Sequence, residues 1–267
     1  MRLPVAMLLC LVFCTATATA QAQDRDYCTD RPGLDTPPCT MAPGTASLEV
    51  GMGDWTLDKD RDERQDTVLL ADTLLRYGIA DHAEVQVGWT ALGFSRTRDR
   101  ATGDVSHRSG TGDATLALRR NLKNPDGSGL AVAVMPFVTI PIGRRPLGDG
   151  DWNAGVRFPL TYELSDTVSL QTTTEFDAAA NEESHGRHFA FDEVVGASLS
   201  ISDSVTATLE YEFLADRDPA GHHLEHVSAL SLAWMPADNL QFDLGANAGL
   251  DHDAPDAEVY FGVSRRF

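Results

Sequence analysis

The sequence predicts an all-β fold, a transmembrane antiparallel up-and-down β-barrel of about 12 strands, and three observations predict it. The first is alternation. Leu240, Phe242, Leu244, Ala246, Ala248 and Leu250 occupy every second position, with Gln241, Asp243, Gly245, Asn247 and Gly249 between them. That is the period of a strand whose side chains point to two faces in turn. The second is length: the alternating runs reach about 10 to 13 residues, beyond the ~5–6 of globular strands and close to the ~9–11 that cross a bilayer at a tilt. The third is punctuation. Short Asp-centred turns (Gly78 to His82, Leu164 to Thr167, Ile201 to Ser204, Pro236 to Asn239, and Asn124 to Gly127) alternate with longer polar segments. One rim of short turns and one of longer loops is the asymmetry of outer-membrane barrels.

In chain order, Met1-Arg2 is a basic start, Val5 to Cys14 is apolar, and small residues follow up to Ala20 or Ala22. This predicts a cleavable secretory signal over residues 1–22. Residues 23–44 are rich in Pro, Asp and Thr and have no periodicity, which predicts an irregular periplasmic arm. Cys28 and Cys39 are the cysteines left after cleavage. In an oxidising compartment they pair across a Pro-rich loop, and two unpaired thiols are the alternative.

Residues 45–267 read as the barrel. Its runs begin at Thr45, Thr67, Ala83, Gly112, Gly129, Trp152, Thr167, His188, Val205, Leu224, Leu240 and Ala257. Val85, Val87 and Trp89 alternate with Glu84, Gln86 and Gly88, and Leu209, Tyr211 and Phe213 with Glu210 and Glu212. The longer polar segments are Asp58 to Asp66, Ser95 to Gly110, Gly143 to Asp151, Asn181 to Arg187, Asp216 to His223 and Asp251 to Asp256. Trp55, Tyr77, Trp89, Trp152, Tyr162, Trp234 and Phe267 fall near run ends, where aromatic girdles belong. After the signal no run approaches the roughly 18 apolar residues of a membrane helix.

The final stretch points to the same architecture. Val259, Phe261, Val263 and Phe267 share one face, and Glu258, Tyr260, Gly262 and Ser264 the other. It resembles the C-terminal signal by which bacterial outer-membrane barrels are recognised for assembly, through Tyr260, Gly262 and the terminal Phe267. Arg265 departs from that pattern, standing where a hydrophobic residue is usual. The resemblance implies outer-membrane lipid and the barrel assembly machinery as partners. A soluble secreted β-domain is the rival, because its strands also alternate, with the apolar rows turned inward.

The chain has 267 residues and a formal net charge of -19. That balance argues against nucleic acid, whose phosphates need a basic footprint. In a barrel the polar rows face the lumen. They contain Glu49, Asp72, Arg76, Glu84, Asp113, Arg119, Arg157, Glu163, Glu175, Asp177, Glu210, Glu212, Asp243 and Glu258. With Gly51, Gly88, Gly155, Gly196, Gly245 and Gly262 also facing in, the interior leaves a narrow water-filled path whose carboxylates favour cations. The alternative is that Arg76, Arg119 and Arg157 pair with those carboxylates and plug it. About twelve strands falls between filled eight-stranded and open sixteen-stranded barrels, so both stay open.

No catalytic residue, metal or cofactor is expected. His222, His223 and His226, with Glu225 and the outlying His185, His188 and His252, have neither helical spacing nor a cysteine partner and read as solvated loop. A barrel hydrolase of lipids or esters is the enzymatic alternative. However, Ser184-His185 and Ser106-His107 are sequence neighbours that point apart on a strand, and no Gly-x-Ser-x-Gly elbow occurs.

Asp30-Arg31-Pro32-Gly33 with Pro43-Gly44, Thr73-Leu74-Leu75-Arg76-Tyr77-Gly78 with Asp81, Gly112-Asp113, and Thr139-Ile140-Pro141-Ile142-Gly143 carry a second resemblance. From about Asp30 to the C-terminus the chain resembles the bacterial outer-membrane family of phenol meta-pathway transporters. The resemblance implies a barrel in the Gram-negative outer membrane that passes small, often aromatic, molecules. It carries over no residue set for phenols, and Cys28 with Cys39 departs from it. The expected role is a passive channel or uptake component for a small-molecule solute.

Overall fold

The computed structural model describes residues 25–182 and 185–267. The expected signal over residues 1–22 and Ser184 lie outside them. Thirteen strands form one antiparallel sheet: β1 (Ala46–Lys59), β2 (Glu63–Ala80), β3 (Ala83–Asp99), β4 (Val105–Gly110), β5 (Ala114–Lys123), β6 (Leu130–Ile140), β7 (Asn153–Ser165), β8 (Val168–Ala180), β9 (Arg187–Ser202), β10 (Val205–Asp218), β11 (Gly221–Ala237), β12 (Leu240–Gly249) and β13 (Ala257–Arg266). Apart from β4 and β5, which both pair with β3, each pairs with its sequence neighbours, and β1 also pairs with β13 through Leu48↔Arg265 and Gly51↔Gly262, so the sheet closes on itself. Closure removes the free edges on which strands aggregate.

β4 and β5 pair with successive parts of β3, Arg98↔Val105 to Gly93↔Gly110 and then Trp89↔Ala114 to Ala83↔Arg120. They are one stave interrupted at Thr111-Gly112-Asp113, which makes a closed 12-stranded barrel. An even number brings Ala46 and Phe267 to the same rim, where the two are hydrogen-bonded through their backbones. That rim carries the short Asp-centred turns.

The apolar rows face out. Leu209 is 60% exposed while Glu210 is 2%, and Phe242 is 41% exposed while Asp243 is 5%. Ser264 is fully buried beside a half-exposed Val263. A soluble sandwich requires the reverse, because water does not solvate such rows but hydrocarbon does. The described residues contain no helix long and apolar enough to cross a membrane; the crossing is made by strands.

The polar segments differ from expectation. Asp58 to Asp66 is not a loop: β1 and β2 run on to a tight turn in which Asp60 Oδ1 accepts from the amides of Asp62 and Glu63, at 2.7 and 2.6 Å. Ser95 to Gly110 is a two-stranded ribbon of β3 and β4, and Asp216 to His223 extends β10 and β11. Once both faces stand in water, alternation between apolar and polar disappears, although the backbone ladder continues. Gly143 to Asp151 and Asp251 to Asp256 lie in true loops.

The larger difference is the arm. Residues 25–44 are irregular, as expected, but they lie inside the wall rather than on its periplasmic side. Tyr27, Asp35, Thr36, Cys39, Thr40 and Met41 are all buried. Amides that pair with no strand must find acceptors, and the lumen supplies carboxylates.

Candidate functional site: the lumen and the arm within it

The arm is fastened first by charge. Arg76 of β2 and Arg119 of β5 are fully buried, as are Glu49 of β1 and Glu84 of β3. Arg76 lies 3.0 Å from Asp30, 3.1 Å from Glu49 and 3.0 Å from Glu84, and donates to the Cys28 carbonyl at 2.7 Å. Arg119 lies 2.7 Å from Asp30 and 3.1 Å from Glu84, and donates to the Cys39 carbonyl at 3.1 Å. A buried guanidinium needs partners for its donors, and of these two arginines only Arg119 Nε has none among the described residues. Here the arm supplies Asp30 and both carbonyls. Burial alone would raise the Asp30 carboxyl, but Arg119 and Arg76 outweigh it and hold it down at about 2. The sulfurs of Cys28 and Cys39 are bonded, with Cα atoms 6.5 Å apart, so the two accepting carbonyls belong to the ends of one closed loop.

A second set of contacts crosses the lumen. Arg31 pairs with Asp243 of β12 at 2.9 Å. It lies over two facing glycines: a Cβ on Gly262 would stand 2.6 Å from its Nε, and one on Gly51 3.1 Å from Nη1. Gly33, at φ +110°, donates its N–H to the Tyr260 hydroxyl at 3.0 Å, and a Cβ there would stand 2.6 Å from Glu210. That backbone conformation and that clearance both require glycine. Glu210 accepts from the amides of Leu34 and Asp35, each at 3.0 Å. Thr173 of β8 donates to Asp35 at 2.5 Å, and Asn121 of β5 donates to the Pro38 carbonyl at 2.9 Å. Burial pushes the Asp35 carboxyl up to about 8, with the Thr173 hydroxyl opposing and the neighbouring Glu210 adding to the rise. Met41 N–H donates to Glu84 at 2.6 Å, and Gly78 leaves room for the carbonyls of Met41 and Ala42.

The polar-row residues therefore divide. Glu49, Arg76, Glu84, Arg119, Glu210 and Asp243 converge on the arm. Arg157 pairs instead with Glu175, and its guanidinium sits 4.7 Å above the Phe137 ring. Asp177 fills the space over Gly155. Glu212 is half-buried, Glu258 accepts from Asn247 at 2.8 Å, and Asp72 accepts from the Thr90 hydroxyl at 2.7 Å. Two residues do not line a passage. Asp113 accepts from the amides of Gly143 and Asp149, at 2.7 and 2.8 Å, and so ties down the loop of residues 141–152. Glu163 is exposed and accepts from the Gly129 amide at 2.6 Å, closing a turn.

Most of the inward glycines do not leave a path. Gly51 and Gly262 seat Arg31, Gly196 seats Glu210, Gly245 seats Tyr260 and Gly155 seats Asp177. Tyr260 and Gly262 thus hold the arm, while Phe267 stays exposed at the rim. Among the loop histidines, His188 sits between Asp216 and Asp218 at 2.8 and 3.3 Å, and His226 Nδ1 is hydrogen-bonded to the Tyr211 hydroxyl at 2.5 Å. Ser106 and His107 are successive residues of β4.

Sequence reasoning missed Asp30, Arg31, Asp35, Met41, Asn121 and Thr173 as parts of the site. The one signal was positional: Asp30-Arg31-Pro32-Gly33 and Gly78, quoted for the family resemblance, are the arm and one of its seats. Between residues 32–39 of the arm and the opposite wall lies a cavity of ≈ 370 Å³, lined by hydroxyl and amide side chains including Thr161, Gln171, Ser198, Thr206, Thr208 and Gln241.

No curated protein matches the sequence. Among solved structures, an outer membrane channel from Pseudomonas putida F1 superposes with a TM-score of 0.66 at 13% identity, over 88% of this chain and 100% of that one. The NanC porin gives 0.53 at 7% identity, over 82% and 98%. The translocator domain of the autotransporter NalP from Neisseria meningitidis gives 0.51 at 11%, over 89% and 90%. At such identities the likeness is one of fold, that of an outer-membrane β-barrel. The family described as "Putative MetA-pathway of phenol degradation" matches residues 29–267, most of the arm and every strand together, and the chain belongs to that family.

Proposed function

We propose that the protein is a passive outer-membrane channel for small solutes, in which the arm closes one side of the lumen and leaves a narrow hydrophilic passage along the other. The observation that carries this reading is the unequal filling of the interior. The buried charges Glu49, Arg76, Glu84 and Arg119 of β1, β2, β3 and β5 each meet the arm, whereas hydroxyls and amides of β7 to β10 border the ≈ 370 Å³ cavity. Beyond it, Glu175, Asp177, Glu212 and Glu258 outnumber Arg157 on the inward rows. Carboxylates in such excess repel anions and concentrate cations. The Phe137 ring beneath Arg157 gives the wall an aromatic surface, which suits planar aromatic solutes such as the phenols that the family description names.

A cleaved signal, delivery by the barrel assembly machinery through the strand ending at Phe267, and a coat of outer-membrane lipid belong to the same proposal. The test is paired. Reversal potentials in planar bilayers under a salt gradient should show cation preference, and proteoliposomes should admit phenol faster than benzoate. Silence in the bilayer together with no solute flux contradicts the channel reading.

A further inference from the structure

The outer wall carries one patch whose charge opposes that of the chain. β2, β3 and β4 continue past the aromatic girdle as a ribbon, and register sorts their outward residues into rows. Trp55, Val68 and Phe94 stand side by side, Trp55 and Phe94 exposed and Val68 half-buried, while Ser95, on the opposite face, is 2% exposed. Two residues further along, the row is Asp66, Arg96 and His107; two further again, it is Arg64 and Arg98. Two residues of strand rise about 7 Å. A tilted strand therefore places these guanidiniums at and just above the polar layer, roughly 5–7 Å thick, that borders the hydrocarbon.

Their partners are too few. Asp66 takes Arg64 at 2.8 Å and Arg96 at 3.6 Å, and among the described residues Arg98 has no side-chain partner. A groove of ≈ 370 Å³ opens here, with Trp55, Val68 and Phe94 on its apolar side and Arg96, His107 and Arg108, with the single carboxylate Asp66, on its polar side. In a chain of formal net charge -19, a groove that is greasy toward the membrane and cationic above it matches one occupant by charge and by depth. That occupant is a lipid bearing phosphate at the surface of the outer leaflet. We propose that this ribbon holds a phosphorylated saccharolipid of the outer leaflet, with acyl chains against Trp55, Val68 and Phe94 and a phosphate between Arg96 and Arg98. Guanidinium matches phosphate through paired N–H donors.

The full chain in detergent, titrated with lipid A by native mass spectrometry and thermal unfolding, tests this. Bisphosphorylated lipid A should form a discrete adduct and raise the melting temperature. The combined variant Arg64→Gln, Arg96→Gln, Arg98→Gln should weaken it about tenfold or more, and Arg98→Gln alone by less. Arg217→Gln, exposed on β10, should bind as the wild type does. Retained heat-modifiable migration shows that each variant is folded. Equal affinity of wild type and triple variant, equal affinity for dephosphorylated lipid A, or saturation of the site by inorganic phosphate alone at the same concentration would each overturn the proposal.

Discussion

Two sides of one lumen are built from the same alternating strands and end in opposite states. On the β1 to β5 side, Arg76, Arg119, Glu49 and Glu84 are fully buried, and each meets a charge or a backbone group of the arm. On the β7 to β10 side, Thr161, Ser198, Thr206 and Thr208 border open space. The fully buried charges of β1 to β5 find partners in the arm, which Glu210 of β10 and Thr173 of β8 hold from across the lumen, while Arg157 and Glu175 of β7 and β8 satisfy each other. Neutral hydroxyls are content with water and leave a passage. Which residues point inward thus decides which half of the barrel is filled.

Breaking the filled side should have the largest effect. Arg76→Ala leaves Glu49, Glu84 and Asp30 without their shared cation, and breaking a buried pair in this way costs about 3–5 kcal/mol. Thermal unfolding in detergent should show a marked fall. Gly262→Leu should release the arm, since the side chain needs the place of Arg31; faster trypsin cleavage at Arg25 would register it, the bond after Arg31 being protected by Pro32.

The acid–base behaviour of the arm sharpens the comparison. Asp35 titrates at about 8 when docked and near the ordinary 3.8 when released. Docking draws on this group fully below pH 3.8 and weakens as the pH rises toward 8, because the released carboxyl ionises while the docked one holds its proton. Asp30, held down at about 2, acts in the opposite sense, favouring docking above 3.8 and losing it as the pH falls toward 2. Asp35→Asn should therefore abolish the weakening between pH 4 and 8, read as hydrogen exchange of arm amides, while leaving the acid limb intact. The smallest effect belongs to the open side. Arg157→Ala should shift the reversal potential further toward cations, whereas Arg119→Ala should loosen the arm, since Arg119 is sealed behind it.

The strands were largely legible. Runs read as starting at Ala83, Val205, Leu240 and Ala257 start there, because a row in hydrocarbon and a row in water impose period two on the residues themselves. The extended ribbons were not, because water on both faces imposes no pattern. Glu49, Glu84, Arg119 and Asp243 were identifiable as inward-facing, but their partners were not. Asp30 and Arg31 lie in a segment without periodicity, and their contacts bridge up to 212 residues of sequence. Cys28 and Cys39 read as a plausible pair, yet nothing in their spacing told that the loop they close would sit between two arginines. Gly51, Gly245 and Gly262 read as vacancies, because a glycine that seats a neighbouring side chain looks, in sequence, like one that leaves a hole.

The central claim is that residues 25–44 occupy the lumen and set the width of the passage. Single-channel conductance of the chain with and without them tests it most directly. Removal should raise conductance severalfold with the barrel still heat-modifiable; equal conductance of the two chains would place the arm outside the conducting path and contradict the account.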